Sequence, residues 1–243
     1  MWELIFVLAI LFVGSLIQGA SGFGFGLFSM GLLPLLLPFK DSTLLVLALT
    51  IVISLHVAVK FRKSIRSKDL LSILSFALAG RVLSFLILTF YGETEIMRKL
   101  LGLVLIGMVV YLYMSEKKAY APSLGKPIFP MLIGLIGGVI GGIFAVGGPF
   151  FVFYFLMRYK EKESYHANLQ ASFVIMNSFT ILLHGIHGDF TNSFVLYFLL
   201  GTVAVLAGVR AGLKWFERLP HVQIKKLASF IVFAAGINLL IFS

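Results

Sequence analysis

The chain has 243 residues, of which 60% are hydrophobic and 12% charged, whereas an ordinary soluble domain carries about 25% charge and about half apolar residues. This composition excludes a soluble fold, and with it most enzyme classes, and fits an all-α integral membrane protein whose spans take about 20 apolar residues each. The net charge of +10 and the absence of cysteine read as a topology signal rather than a nucleic-acid footprint, and they remove disulfides, thiolate metal sites and a thiol nucleophile.

Eight apolar segments follow one another. The first, Leu4 to Pro38, comes after Met1-Trp2-Glu3, which lacks the basic n-region of a signal peptide and is expected to stay in the mature protein. At 35 residues it is too long for one straight span, and GASGFGFG at Gly19 to Gly26 interrupts it. Leu44 to Val59, Leu70 to Tyr91 and Leu100 to Met114 are of ordinary length. The fifth segment, Ile128 to Met157, is again overlong at 30 residues and is broken by GGIFAVGGP at Gly141 to Pro149. Ala167 to Leu183, Ser193 to Leu213 and Leu227 to Phe242 complete the set.

Charge decides between two readings of the overlong segments. The ten acidic residues all sit at or beyond the ends of apolar runs, and of the twenty Lys and Arg only Arg81 and Arg210 fall inside them. If all eight segments cross, the basic residues divide almost evenly between the two sides. If each glycine-broken segment is a re-entrant hairpin that returns to its own side, the division becomes 15 against 3, as the positive-inside rule demands. The hairpin reading places both termini in the periplasm and Arg62 and Lys160 in the cytoplasm. It makes the protein two inverted repeats, each a hairpin plus three transmembrane helices, with eight transmembrane helices as the alternative.

The halves resemble each other weakly, as inversion requires. Each opens with a glycine-broken segment, and Leu-Ala-Gly at 78 to 80 recurs at 206 to 208 with an arginine one or two residues later. The expected division is 1–118 for the first repeat and 119–243 for the second, within a single membrane domain. Inverted repeats with discontinuous helices are the build of many secondary transporters, whose site lies near the midplane. The stretches QGASGFGFGLFSMGLLPLLLP, GGVIGGIFAVGGPFFVFYFL and NLQASFVIMNSFT resemble the paired signatures of the sulfite exporter TauE/SafE family, also described as toluenesulfonate-type uptake permeases. That resemblance implies a multi-pass carrier of the bacterial inner membrane for sulfite, sulfonates or another small sulfur-containing or carboxylate anion. It departs from the family at Ala145-Val146, where relatives have a denser glycine run.

Arg81 is the sharpest single signal, being twelfth of 22 residues in its run and so near the bilayer centre, where a charge is costly and marks function by default. It either coordinates an anion through its planar fork or donates to free carbonyls of a hairpin and fastens the fold. Arg210 shares its Leu-Ala-Gly context and is expected in the same central volume. Gly22, Gly24, Gly26, Gly147 and Gly148 would open helix N-termini toward an anion. The polar residues deep in spans are Gln18, Ser21, Thr50, Ser54, Gln170, Ser172 and Asn177, with Gln170 and Asn177 about two turns apart on one face. Phe23, Phe25, Phe150 and Phe151 are candidate pocket walls. His56, His166 and His184 are expected at the interfaces, and no metal or cofactor site is expected.

The expected function is transport of a small anionic substrate by alternating access, without enzymatic activity. Without a carboxylate at depth an Asp/Glu proton relay is not expected, and the coupling ion and oligomeric state stay open. Two other classes compete. Gly19-Ala20-Ser21-Gly22 matches a serine motif of intramembrane hydrolases, which need a histidine beside Ser21. A non-transporting structural membrane protein is the third reading.

Overall fold

The computed structural model describes residues 2–115, 128–216 and 221–242. Among them all regular structure is helical: α1 (Trp2–Ser21), α2 (Phe25–Leu32) with a 3-10 turn at Leu33–Leu35, α3 (Phe39–Lys60), α4 (Ser67–Tyr91), α5 (Glu95–Ser115), α6 (Ile128–Phe144), α7 (Gly148–Arg158), α8 (Lys162–His187), α9 (Asn192–Phe216) and α10 (His221–Phe242). By length and composition α1, α3, α4, α8 and α9 can each cross a bilayer. The protein is therefore an all-α membrane protein. Helices are the form in which a chain can satisfy its own backbone in lipid.

Both overlong segments fold back. A Cβ on Gly14 of α1 would lie 2.7 Å from Ser29 Oγ of α2, and one on Gly137 of α6 would lie 3.0 Å from Phe150 Cβ of α7. Each second limb thus returns beside its first, which disfavours the reading of eight straight spans. The limbs are unequal, at 20 and 8 residues in the first hairpin and 17 and 11 in the second. Each hairpin is a nearly full-length helix followed by a short returning one, rather than two half-helices.

Packing follows one rule in both halves. α1 lies along α9 and α6 along α4, so the first helix of each hairpin packs on the fourth helix of the other half, while α3 packs on α8 and α5 on α10. The repeated Leu-Ala-Gly marks these contacts. A Cβ on Gly80 would lie 2.5 Å from the Leu135 carbonyl of α6, and a Cβ on Gly208 would collide with the Phe12 carbonyl and Ser15 of α1. Such backbone approach is what small residues provide where lipid supplies no hydrophobic drive.

Two ends of the bundle can be told apart by their contacts. At one, the Arg66 N–H donates to Asn168 Oδ1 and Asn168 Nδ2 to the Ser64 carbonyl, and the Arg66 guanidinium lies over the Tyr159 ring. At the other, Tyr197 donates to Glu3, the Lys40 N–H to Glu93 and Lys40 Nζ to Asp189. α10 sets Gly236 against Gly102 near the start of α5, which brings its last residues toward the same end as Glu3. The boundary expected between residues 118 and 119 lies outside the described residues.

Candidate functional site

The two hairpin turns lie side by side. At Gly26 a Cβ would collide with the Ala145 carbonyl, while Phe23 Cβ is 3.8 Å from the Cβ position of Gly148. The first turn is made by Gly22 at φ +82° and Gly24 at φ +107°, both left-handed. In the second turn Ala145 takes φ +55°, a conformation that crowds its Cβ and costs about 1–2 kcal/mol.

Between the turns is a cavity of about 30 Å³, room for about one water. Its walls include Gln18, Phe23, Gly24, Gly26, Thr50, Arg81, Gly147, Gly148, Phe151, Phe173 and Asn177. The first turns of α2 and α7 border it; the Phe25, Gly26 and Leu27 N–H groups of α2 and the Gly148 N–H of α7 have no carbonyl to meet within their helices, whereas Pro149 has no N–H and the Phe150 N–H donates to the Gly147 carbonyl. The positive ends of both helix dipoles therefore face one small space, a setting that favours an anion.

Arg81 completes the wall and is 3% exposed. Its Nη1 donates to the Gly141 carbonyl at 2.9 Å and to Thr180 Oγ1 at 3.4 Å, and its Nη2 donates to Asn177 Oδ1 at 3.0 Å. All three acceptors are neutral, and among the described residues Nε has no partner. A buried charge ordinarily needs a counter-charge; here none of its hydrogen-bond partners is a carboxylate. The bond to Gly141 joins Arg81 to the helix that leads into the second turn, so fastening the fold and facing the cavity are both visible in one side chain.

Arg210 is a correction to the expectation. Its side chain is exposed on the outside of α9 and lines neither the central cavity nor the one beside Lys60. The reason is register. Arg81 follows its packing glycine by one residue and Arg210 by two, and one residue turns a side chain about 100° around a helix. Val209, fully buried, follows its packing glycine in α9 as Arg81 does in α4, and among the described residues Arg81 is the arginine on the cavity wall.

Gln18 donates from Nε2 to Gln170 Oε1 at 3.4 Å, and Gln170 Nε2 donates to the Gly22 carbonyl at 2.6 Å. Gln18, Gly22 and Gln170 line a second cavity of about 220 Å³ with Lys60, Phe61 and His166. Gln18 alone belongs to the walls of both cavities. Thr50 Oγ1 donates to the Val46 carbonyl. Ser21 Oγ is held by the Ile17 and Phe23 carbonyls at 2.8 and 2.6 Å. Phe25 and Phe150 stand outside the central wall, where Phe173 takes a place instead.

The family model described as Sulfite exporter TauE/SafE matches residues 6–239. The chain belongs to the TauE/SafE family. It is thus a multi-pass membrane transporter of the sulfite and sulfonate type, with a small anionic substrate. No curated protein and no solved structure matches it.

Sequence reasoning missed two features of this TauE/SafE chain. Thr180 shares the α8 face of Gln170 and Asn177, and that spacing could have revealed it. His184, one turn further, was expected at an interface but is fully buried. Its Nδ1 lies 2.5 Å from Asp189 Oδ2, and Asp189 Oδ1 meets Lys40 Nζ at 2.6 Å and His187 Nδ1 at 2.9 Å. Burial raises the Asp189 pKa, but hydrogen bonds from Lys40, His184 and His187 outweigh it and hold the carboxyl down at about 2. Gly188 at φ +83° makes the left-handed turn that swings Asp189 back onto the end of its own helix.

Proposed function

We propose that the protein is a secondary carrier that binds one small oxyanion, a sulfite, sulfonate or carboxylate, between Arg81 and the N-termini of α2 and α7, and moves it by alternating access. One observation carries this reading: a guanidinium buried without a carboxylate partner, on the wall of a cavity that two helix N-termini also face. An anion there supplies the missing counter-charge. The planar fork offers parallel N–H donors to two oxygens, and the unpartnered Nε is free to join them.

At about 30 Å³ the cavity is smaller than a sulfonate, so binding requires the hairpins to separate. The larger cavity beside Lys60 gives the approach from one end, with the Gln18–Gln170 pair as the partition. The two halves run in opposite directions, and exchange of their equivalent packing contacts opens the other end. The distribution of basic residues supports an orientation with the Lys60 end on the cytoplasmic side of a bacterial inner membrane and both termini periplasmic. Residues 1–118 and 119–243 are the two repeats.

The test is flux in proteoliposomes with a panel of sulfite, thiosulfate, sulfoacetate and acetate. Saturable flux of a sulfur oxyanion that falls in Arg81→Lys and is lost in Arg81→Gln supports the reading. Equal flux in Arg81→Gln refutes it.

A further inference from the structure

Away from the anion site, the bundle end that carries Glu3 and Glu93 holds a cluster the transport reading does not use. His184 has no exposed surface, and its Nε2 is buried without a hydrogen-bond partner. Its Nδ1 faces a carboxylate, Asp189, at 2.5 Å. A carboxylate only accepts, so in the neutral imidazole Nδ1 carries the proton and the lone pair sits on Nε2. That nitrogen is the one able to take up another proton. From the elements around it, His184 is faced by the Phe85 ring of α4 at 4.8 Å, by Lys40 of α3 through Asp189, and by His187 on its own helix. Asp41 of α3 is tied to the same turn through Thr191, and Glu93 holds the Lys40 N–H.

The cluster is in register with the anion site. Thr180, which accepts from Arg81, is one turn before His184 on α8, and Arg81 is one turn before Phe85 on α4. Four residues rise about 6 Å along a helix, so the imidazole is within reach of a charge bound at Arg81. On the basis of the anion-site reading, we propose that His184, oriented by Asp189, is the proton-binding site that couples anion binding to proton uptake. The proton adds to Nε2 and gives an imidazolium paired with Asp189, and no bond other than that N–H forms or breaks. A positive charge at His184 draws an anion toward Arg81, and by linkage a bound anion raises the proton affinity of His184 equally. An anion and a proton then occupy the protein together. Lys40 and His187 hold the other carboxylate oxygen, which keeps Asp189 in place as His184 changes charge. The same contact joins the α8–α9 turn to the start of α3, so the protonation state bears on how that end opens.

The experiment is proton uptake by purified protein in weak buffer as methanesulfonate is added, read with a pH indicator across about pH 6 to 8, where imidazole ordinarily changes charge. This probe is a strong-acid anion and does not itself take up protons. The parent is expected to take up protons with the anion, to about one per anion at the maximum. His184→Gln, which keeps an N–H for Asp189, should bind methanesulfonate without uptake, while His56→Gln, on α3 away from the cluster, should retain uptake. Binding without uptake in the parent, or equal uptake in His184→Gln, overturns the coupling alone. If methanesulfonate does not bind the parent, the anion-site reading fails and the coupling with it. Should His184→Gln fail to fold, imidazole NMR of the parent decides: the His184 midpoint, assigned through variants of the other histidines, must move up on adding methanesulfonate, and an unmoved midpoint overturns the proposal.

Discussion

Gly26→Ala and Gly148→Ala are the same chemical change on opposite sides of one cavity, and the structure separates them sharply. A Cβ at Gly26 would collide with the Ala145 carbonyl, a backbone atom that cannot rotate away, so the two turns must part. Overpacking of this kind costs about 1–3 kcal/mol, and at about 2–4 °C per kcal/mol for a chain of this size the melting temperature falls on the order of 2–12 °C. At Gly148 the new Cβ would meet Phe173 Cζ at 3.7 Å and Phe23 Cβ at 3.8 Å, ordinary contacts. Alanine there lowers the entropy of the unfolded chain, worth about 0.4–1 kcal/mol, but Gly148 precedes Pro149, whose ring disfavours helical backbone at a residue that bears a Cβ, so the exchange is close to neutral. Thermal unfolding of the detergent-solubilised variants, followed by anion flux, checks both. Gly26→Ala should lose stability and flux together, and Gly148→Ala should keep its stability. Parental behaviour of Gly26→Ala, or an equal drop in the two variants, would refute the side-by-side arrangement of the turns.

Arg210→Gln removes an exposed charge and should leave stability within about 0.5 kcal/mol of the parent, with unchanged anion flux in proteoliposomes; a loss comparable to that of an Arg81 variant would contradict the register argument. Gln170→Ala leaves the buried Gly22 carbonyl without its donor, which should cost about 1–3 kcal/mol in chemical or thermal unfolding. Asp189→Asn should destabilise the protein near neutral pH. The Asp189 carboxyl is held below its ordinary value, at about 2, so its contribution is present above the unfolded value near 3.8 and lost as pH falls toward 2. The gap between parent and variant in unfolding temperature should therefore narrow as pH falls below about 4. Single cysteines at Arg62 and Lys160 should label from the same, cytoplasmic, side, and labelling from opposite sides would remove the hairpin topology.

Much of this architecture is legible in the sequence because glycine in an apolar run has few uses. The clusters at Gly19 to Gly26 and Gly141 to Pro149 fall in the two segments too long for a single span, and there the chain turns back. Arg81 is legible because a charge twelve residues into a 22-residue run has nowhere to go but inward. Arg210 misleads because a matching Leu-Ala-Gly fixes which glycine packs on the facing hairpin helix, whereas the direction of the arginine depends on a one-residue difference in spacing. His184 is hidden for another reason. Its place near the end of its apolar run suggests an interface, but its burial depends on the Gly188 turn, on Phe85 from α4 and on Lys40 from α3, which are tertiary facts. Helical spacing groups Gln170 with Asn177, yet two turns along α8 carry it from the central cavity to the larger one beside Lys60.

The central claim is that Arg81 holds the anion, and anion-dependent thermal stabilisation of purified parent, Arg81→Lys and Arg81→Gln protein tests it most directly. A one-site anion at about 100 times its dissociation constant stabilises the parent by about 2.7 kcal/mol. The shift should shrink in Arg81→Lys, whose ammonium keeps the charge but not the bidentate fork, and vanish in Arg81→Gln. A full anion-induced shift in Arg81→Gln would show that Arg81 only ties α4 to Gly141, Asn177 and Thr180, and that the anion is held elsewhere.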